Sequence, residues 1–176
     1  FHTKTIDNIE IHKELKQLEF SLDAIELDGF AHYMLKEICE QPKSLTTCLG
    51  GRLDLREGRV ILGGINKYWR EITRAKRIII NGCGTAWHAG LIGEFLIEQL
   101  ARINTETQYA SEFRYRNPII EDDTIVIAIS QSGETADTLA AIEQAKERGA
   151  ITLGIVNVVG STIARTTDVG VYLRVG

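Results

Sequence analysis

The sequence predicts an α/β protein, a three-layer αβα sandwich on a parallel sheet, with an N-terminal helical lead-in. Three observations carry this expectation. From residue 76 onward, short β-branched runs alternate with helical stretches, the pattern of repeated strand-helix-strand units. Runs such as Ile78-Ile79-Ile80 and Ile125-Val126-Ile127-Ala128-Ile129 lack polar alternation, which suits strands covered on both faces by helices. Residues 1–58, by contrast, are charge-rich and helical in period. The expected division is a lead-in over 1–58 and a compact domain over 59–176.

In the lead-in, Ile9, His12, Leu15 and Leu18 fall three apart along one helical face. Tyr33, Met34 and Ile38 mark a helix from Phe30 to Gln41. Pro42 should end it, because the ring disfavours helical geometry in the preceding residue. A further helix then starts at Pro42, since proline suits a first turn. Arg59-Val60-Ile61-Leu62 follows Gly58 as an extended run, and Tyr68, Trp69 and Ile72 mark a brief helix. The core is expected as strand Arg77 to Asn81, helix Ala86 to Ala101, strand Thr107 to Ala110 and strand Thr124 to Ser130. Helix Thr135 to Arg148, strand Ile151 to Val156, helical turn Ser161 to Thr166 and strand Gly170 to Arg174 complete it.

Composition narrows the classes of function. With 176 residues, 44% hydrophobic and 25% charged, the chain matches one ordinary globular domain rather than a disordered or collagen-like one. A domain of roughly 150 residues buries close to 70% of its unfolded surface, enough for a core without staples. The formal net charge of -4 provides no excess of cations for general nucleic-acid binding. Cys39, Cys48 and Cys83 are odd in number and outside any CxxC pair, so neither a disulfide framework nor a zinc site is expected. His2, His12 and His32 lack metal-ligand spacing. A reducing cytosolic compartment is expected, with no leader and no membrane span. Phe1 in place of Met and the abrupt Val175-Gly176 end predict a piece of a longer protein.

In an open parallel sheet, ligands bind outside the carboxyl ends of the strands, and two strand-to-helix loops stand there. One is Asn81-Gly82-Cys83-Gly84-Thr85-Ala86-Trp87-His88 and the other Ser130-Gln131-Ser132-Gly133-Glu134-Thr135. In the second, hydroxyls at Ser130, Ser132 and Thr135 and the Gln131 amide flank a glycine, and each can donate to a phosphate. The following helix adds free N–H groups and the positive end of its dipole, so an anion needs no Lys or Arg. The bland alternative is a capped turn, with Ser132 as the cap and Glu134 favouring the helix dipole. The first loop falls short of a dinucleotide fingerprint because Trp87 stands at the third glycine position, and neither loop carries a Walker lysine. Cys83 is either a thiol activated by a helix N-terminus or, more simply, a small buried residue. His88 is expected to pack or bond at the surface. Phe113 and Tyr115 are expected to anchor a connection, with Arg114 and Arg116 in salt bridges.

At these residues the chain resembles the sugar isomerase (SIS) family, and more narrowly the first isomerase domain of the glucosamine-6-phosphate synthase family. The resemblance rests on Lys36-Glu37-Ile38-Cys39-Glu40-Gln41-Pro42, Cys83-Gly84-Thr85 and Ala110 to Arg116. It rests further on Ser130-Gln131-Ser132-Gly133-Glu134-Thr135-Ala136-Asp137-Thr138, Gly154 to Asn157 and Val159-Gly160-Ser161. It implies a flavodoxin-like sheet, with Ser130, Gln131, Ser132 and Thr135 holding the phosphate of fructose 6-phosphate or glucosamine 6-phosphate. Cys83, Gly84 and Thr85 are then placed at the sugar. Ala86 stands where family members usually carry Ser. The resemblance also implies a homodimer in which Lys36 to Pro42 packs at an interface, a glutaminase domain and a second isomerase domain elsewhere in the parent, and no metal or redox cofactor. The family's ring-opening and isomerising residues lie mainly in that second domain, so no catalytic residue is assigned here. A phosphosugar sensor of a regulatory protein, or chiefly a dimerisation module, are the competing expectations.

Overall fold

The structure, a computed structural model, describes residues 3–4, 10–11 and 27–175. Two short strands come first, β1 (Thr3–Lys4) and β2 (Glu10–Ile11), paired antiparallel with Thr3 opposite Ile11. The lead-in is therefore not wholly helical. The Ile9, His12, Leu15 and Leu18 face lies outside the described residues.

Helix α1 (Tyr33–Leu49) corrects the expectation of a break at Pro42, which lies inside it. The ring removes a single intrahelical N–H, and the steric bias before proline is outweighed by unbroken turns on both sides. In the next turn Thr46 and Thr47 hydroxyls donate to the carbonyls of Pro42 and Lys43 at 2.8 and 3.0 Å. Lys36, buried on this helix, pairs with Asp28 at 3.4 Å and Glu40 at 3.9 Å. Tyr33, Met34 and Ile38 are exposed.

Residues 42–175 form one compact unit. A hairpin of β3 (Leu53–Asp54) and β4 (Arg59–Val60) precedes a 3-10 turn over Gly63–Tyr68 and the short α2 (Trp69–Arg74). Then come β5 (Arg77–Gly82), α3 (Thr85–Ala101), β6 (Asn104–Tyr109), α4 (Ala110–Tyr115), β7 (Thr124–Ser130), α5 (Ala136–Glu147), β8 (Ile151–Val156), α6 (Thr162–Thr166) and β9 (Val169–Tyr172). The five strands β5 to β9 make one parallel sheet in the order β6-β5-β7-β8-β9, the flavodoxin-like order with its reversal between β5 and β7.

Alternate residues of the central strands feed two cores. Ile79, Val126, Ala128 and Val156 pack with Phe113 of α4, Ala141, Ile142 and Ala145 of α5, and Ile163 of α6. Ile78, Ile80 and Ile125 pack on the other side with Ala75, Ile72 and Ile97 of α3. Gly90 lets α3 approach the sheet, since a Cβ there would meet the Thr107 methyl at 2.7 Å. Edge strand β6 begins at Asn104 rather than Thr107, and two of its outward N–H groups are occupied. Thr107 donates to Glu94 at 2.7 Å and Thr105 to Glu98 at 3.2 Å, two carboxylates one turn apart on α3, which blocks pairing with another chain.

Helix α4 forms the first part of the connection expected over Ala110 to Pro118. Phe113 is fully buried and does anchor it, whereas Tyr115 is 76% exposed and does not. Arg114 pairs with Asp137 at 3.3 Å, but Arg116 forms no salt bridge among the described residues. Phe113→Ala should cost about 3–5 kcal/mol, read as a lower midpoint in urea unfolding. Gly170→Ala should also destabilise, because its Cβ would meet the Gly154 carbonyl oxygen at 2.6 Å and overpacking costs about 1–3 kcal/mol.

Candidate functional site

The reversal of strand order sets the loops after β5 and β7 side by side. Cys83 Sγ lies 3.8 Å from Thr138 Oγ1, joining the first loop to the first turn of α5, and Cys83 is half-buried against the core. The first loop turns on two glycines. A Cβ at Gly82 would come within 3.0 Å of the Ala86 and Trp87 backbone, and Gly84 has φ +58°, a region open to glycine at little cost. Gly84 and Thr85 are exposed at the start of α3. Trp87 stacks on Tyr109 with ring centroids 4.3 Å apart, and His88 packs edge-on against Trp87 at 5.0 Å.

The second loop is an internally bonded turn. Ser130 is buried; its Oγ accepts from Gly133 N–H at 3.0 Å and lies 3.1 Å from Thr135 Oγ1. Ser132 Oγ accepts from Glu134 N–H at 3.2 Å, so Ser132 shapes the turn and does not cap α5. The residue at the cap position is Thr135, and its side chain makes no capping bond. Leu139 N–H is bonded to the Thr135 carbonyl at 2.9 Å, leaving the N–H groups of Ala136, Asp137 and Thr138 without a side-chain cap. Gln131 and Ser132 are exposed beside them. Unsatisfied N–H groups at the positive end of a 12-residue helix attract an anion, and neither loop carries Lys or Arg.

Glu134 departs from expectation. Its carboxylate Oε1 accepts from Thr162 N–H at 2.8 Å, at the start of α6 rather than α5. Hydrogen bonds from Thr162, with help from Arg165, hold it below the usual carboxylate range. The turn from Asn157 to Ile163 therefore adjoins the loop, although the sequence marked Asn157 and Val159-Gly160-Ser161 there only as carriers of the family resemblance, and Ser161 to Thr166 only as a helical turn. The helical turn expected over Ser161 to Thr166 was the available signal, since a helix start presents free N–H groups. Asn157 N–H donates to Gln131 O at 3.3 Å and Ile163 N–H to Gly133 O at 2.9 Å.

A cavity of 230 Å³ lies elsewhere, lined by Gly64, Gly154, Thr167, Gly170 and Tyr172 among others and by neither loop. Among the described residues, no group of three His, Cys, Asp or Glu side chains could hold a metal.

A parallel sheet of this order, with a hydroxyl-lined, lysine-free loop at the point where the strand order reverses, defines a flavodoxin-like class of α/β domain. The SIS domain family model matches residues 71–176, and the chain belongs to that family. It is 58% identical over its whole length to glutamine–fructose-6-phosphate aminotransferase [isomerizing] of Chlorobaculum tepidum, and 52% identical over 97% of its length to the enzyme of that name from Bacteroides thetaiotaomicron. The chain spans 29% and 28% of those relatives. Its fold is also similar to the C-terminal domain of glucosamine-fructose-6-phosphate aminotransferase from Francisella tularensis. That comparison has TM-score 0.77 and 34% identity, over 86% of this chain and 42% of that one.

At the opposite, amino-terminal end of the strands, burial pushes the Asp168 carboxyl up, but bonds from Thr152 N–H and Oγ1 at 2.9 and 2.8 Å and from Lys146 at 3.2 Å more than offset this and lower it. A depressed folded value contributes stability that is present above the unfolded value of about 3.9 and lost as pH falls through the folded one. Asp168→Asn should therefore be less stable than the parent at neutral pH. The gap should narrow below about pH 4, as chemical unfolding across pH would reveal.

Proposed function

We propose that this chain is the sugar-phosphate-binding isomerase domain of an enzyme that converts fructose 6-phosphate and glutamine to glucosamine 6-phosphate and glutamate. The observation that carries the reading is the uncapped N-terminus of α5 behind a hydroxyl-lined loop without cations. A phosphate there meets backbone N–H groups and neutral donors, and the sugar extends toward the loop after β5. In this reading Ser130, Gln131, Ser132 and Thr135 bind the phosphate, while Cys83, Gly84 and Thr85 line the sugar. Ser130 also braces the turn, since its oxygen accepts from Gly133 and its proton remains available to Thr135 or the ligand.

Moving a proton between adjacent sugar carbons needs a base and a group to stabilise the enolate oxygen. We assign neither to this chain; both fall to the rest of the parent, with its glutaminase and second isomerase domains. Residues 59–176 act as the binding domain and 1–58 as a lead-in and interface segment of a homodimer in the cytoplasm. The identity to synthases over the whole chain favours this over a sensor module.

Thermal unfolding with fructose 6-phosphate, glucosamine 6-phosphate, inorganic phosphate and unphosphorylated fructose tests the proposal. A phosphosugar at 100 times its dissociation constant should add about 2.7 kcal/mol, more than phosphate alone, and Ser132→Ala should reduce the gain. Equal responses to fructose and fructose 6-phosphate would remove the phosphate site from this loop.

A further inference from the structure

We propose that Glu134 is a positioning residue for anion binding, which it serves by being tied away from the helix whose N-terminus receives the anion; this rests on the phosphate reading above. Glu134 immediately precedes Thr135 at the uncapped start of α5. A free carboxylate at that point would compete for the open N–H groups and repel a phosphate dianion. Instead Oε1 accepts from Thr162 N–H at 2.8 Å, so the charge is held at the N-terminus of α6 and the site stays open.

The same bond fastens the loop. Residues 157–163 hold it through Asn157 N–H on Gln131 O, Thr162 N–H on Glu134 and Ile163 N–H on Gly133 O. Gly133, at φ +69°, lies directly against Ser161, whose side chain would overlap any Cβ built there. Ser161 is 3% exposed and its hydroxyl has no partner among the described residues. Among these contacts, only the Glu134 bond uses a loop side chain as acceptor, so it alone can be altered without rebuilding backbone. The turn is itself clamped by Asn157, which donates to Val175 O and accepts from Val175 N–H, both at 2.7 Å.

Three variants separate the roles. Glu134→Ala removes the acceptor. Glu134→Gln keeps a carbonyl acceptor without the charge. Thr162→Pro removes the donor yet leaves the carboxylate; proline is tolerated at a first helical position, and Ser161 before it is already extended at ψ 164°. Calorimetric titration with inorganic phosphate and with fructose 6-phosphate is paired with amide exchange at residues 131–135 in the ligand-free chain. Glu134→Ala should weaken binding about tenfold, as expected for losing the hydrogen bond that fastens the loop, and Thr162→Pro, which also frees the carboxylate beside the open N–H groups, should weaken it further; both should speed exchange at Gly133 and Glu134. Glu134→Gln should restore both. Unchanged exchange in the first two variants, or no rescue by Gln, overturns the proposal. Should the parent chain bind neither ligand, the phosphate reading fails while the exchange data still decide whether Glu134 positions the loop.

Discussion

The parallel pairing of β5 with both β6 and β7 is the constraint on which the rest of this structure depends. A central strand paired on both sides must also be covered on both faces, and Ile78, Ile79 and Ile80 meet that demand by supplying opposite cores. Because the chain leaves β5 toward β6 and returns to β7 on the other side, the loops after β5 and β7 diverge from adjacent strand ends. The crevice between them follows from topology, before any side chain in either loop is considered. Cys83 against Thr138 is the point where the first loop meets the first turn of α5.

What the crevice offers an anion is a set of dipoles and neutral donors. Such a site binds through oriented N–H groups that are already ordered by the helix, so little reorganisation accompanies binding. Its hydroxyls have a second duty, because Ser130 and Ser132 accept from Gly133 and Glu134 and so shape the turn. The expected Ser132 cap is absent: the serines bond the loop to itself, and the helix behind it is left uncapped. The negative residue within the loop is turned to a different helix.

The core strands were legible because continuous β-branched runs between helical stretches have few other uses. Strands β7 and β8 have the expected bounds, and β5 extends by one residue into Gly82. Errors fell where local rules meet competing forces. Local rules make Pro42 a stop, yet one missing N–H does not break a helix whose neighbouring turns are intact. Helix α4 has six residues, too few to show a period, and Tyr115 looked like an anchor only because exposure cannot be read from an aromatic residue alone. In the lead-in, strands of two residues leave no pattern to detect.

By itself the sequence determined the parallel α/β class, the two loops and the hydroxyl chemistry of the second, because burial period, glycines and donor side chains are local properties of the chain. Tertiary structure decided which helix Glu134 serves, that Ser161 lies under Gly133, and that Asn157 and Ile163 hold the loop. Those contacts join residues more than twenty positions apart, and their partners are mostly backbone atoms. A backbone N–H is the same in every residue but proline, so only the fold can say which carbonyl or carboxylate it will meet.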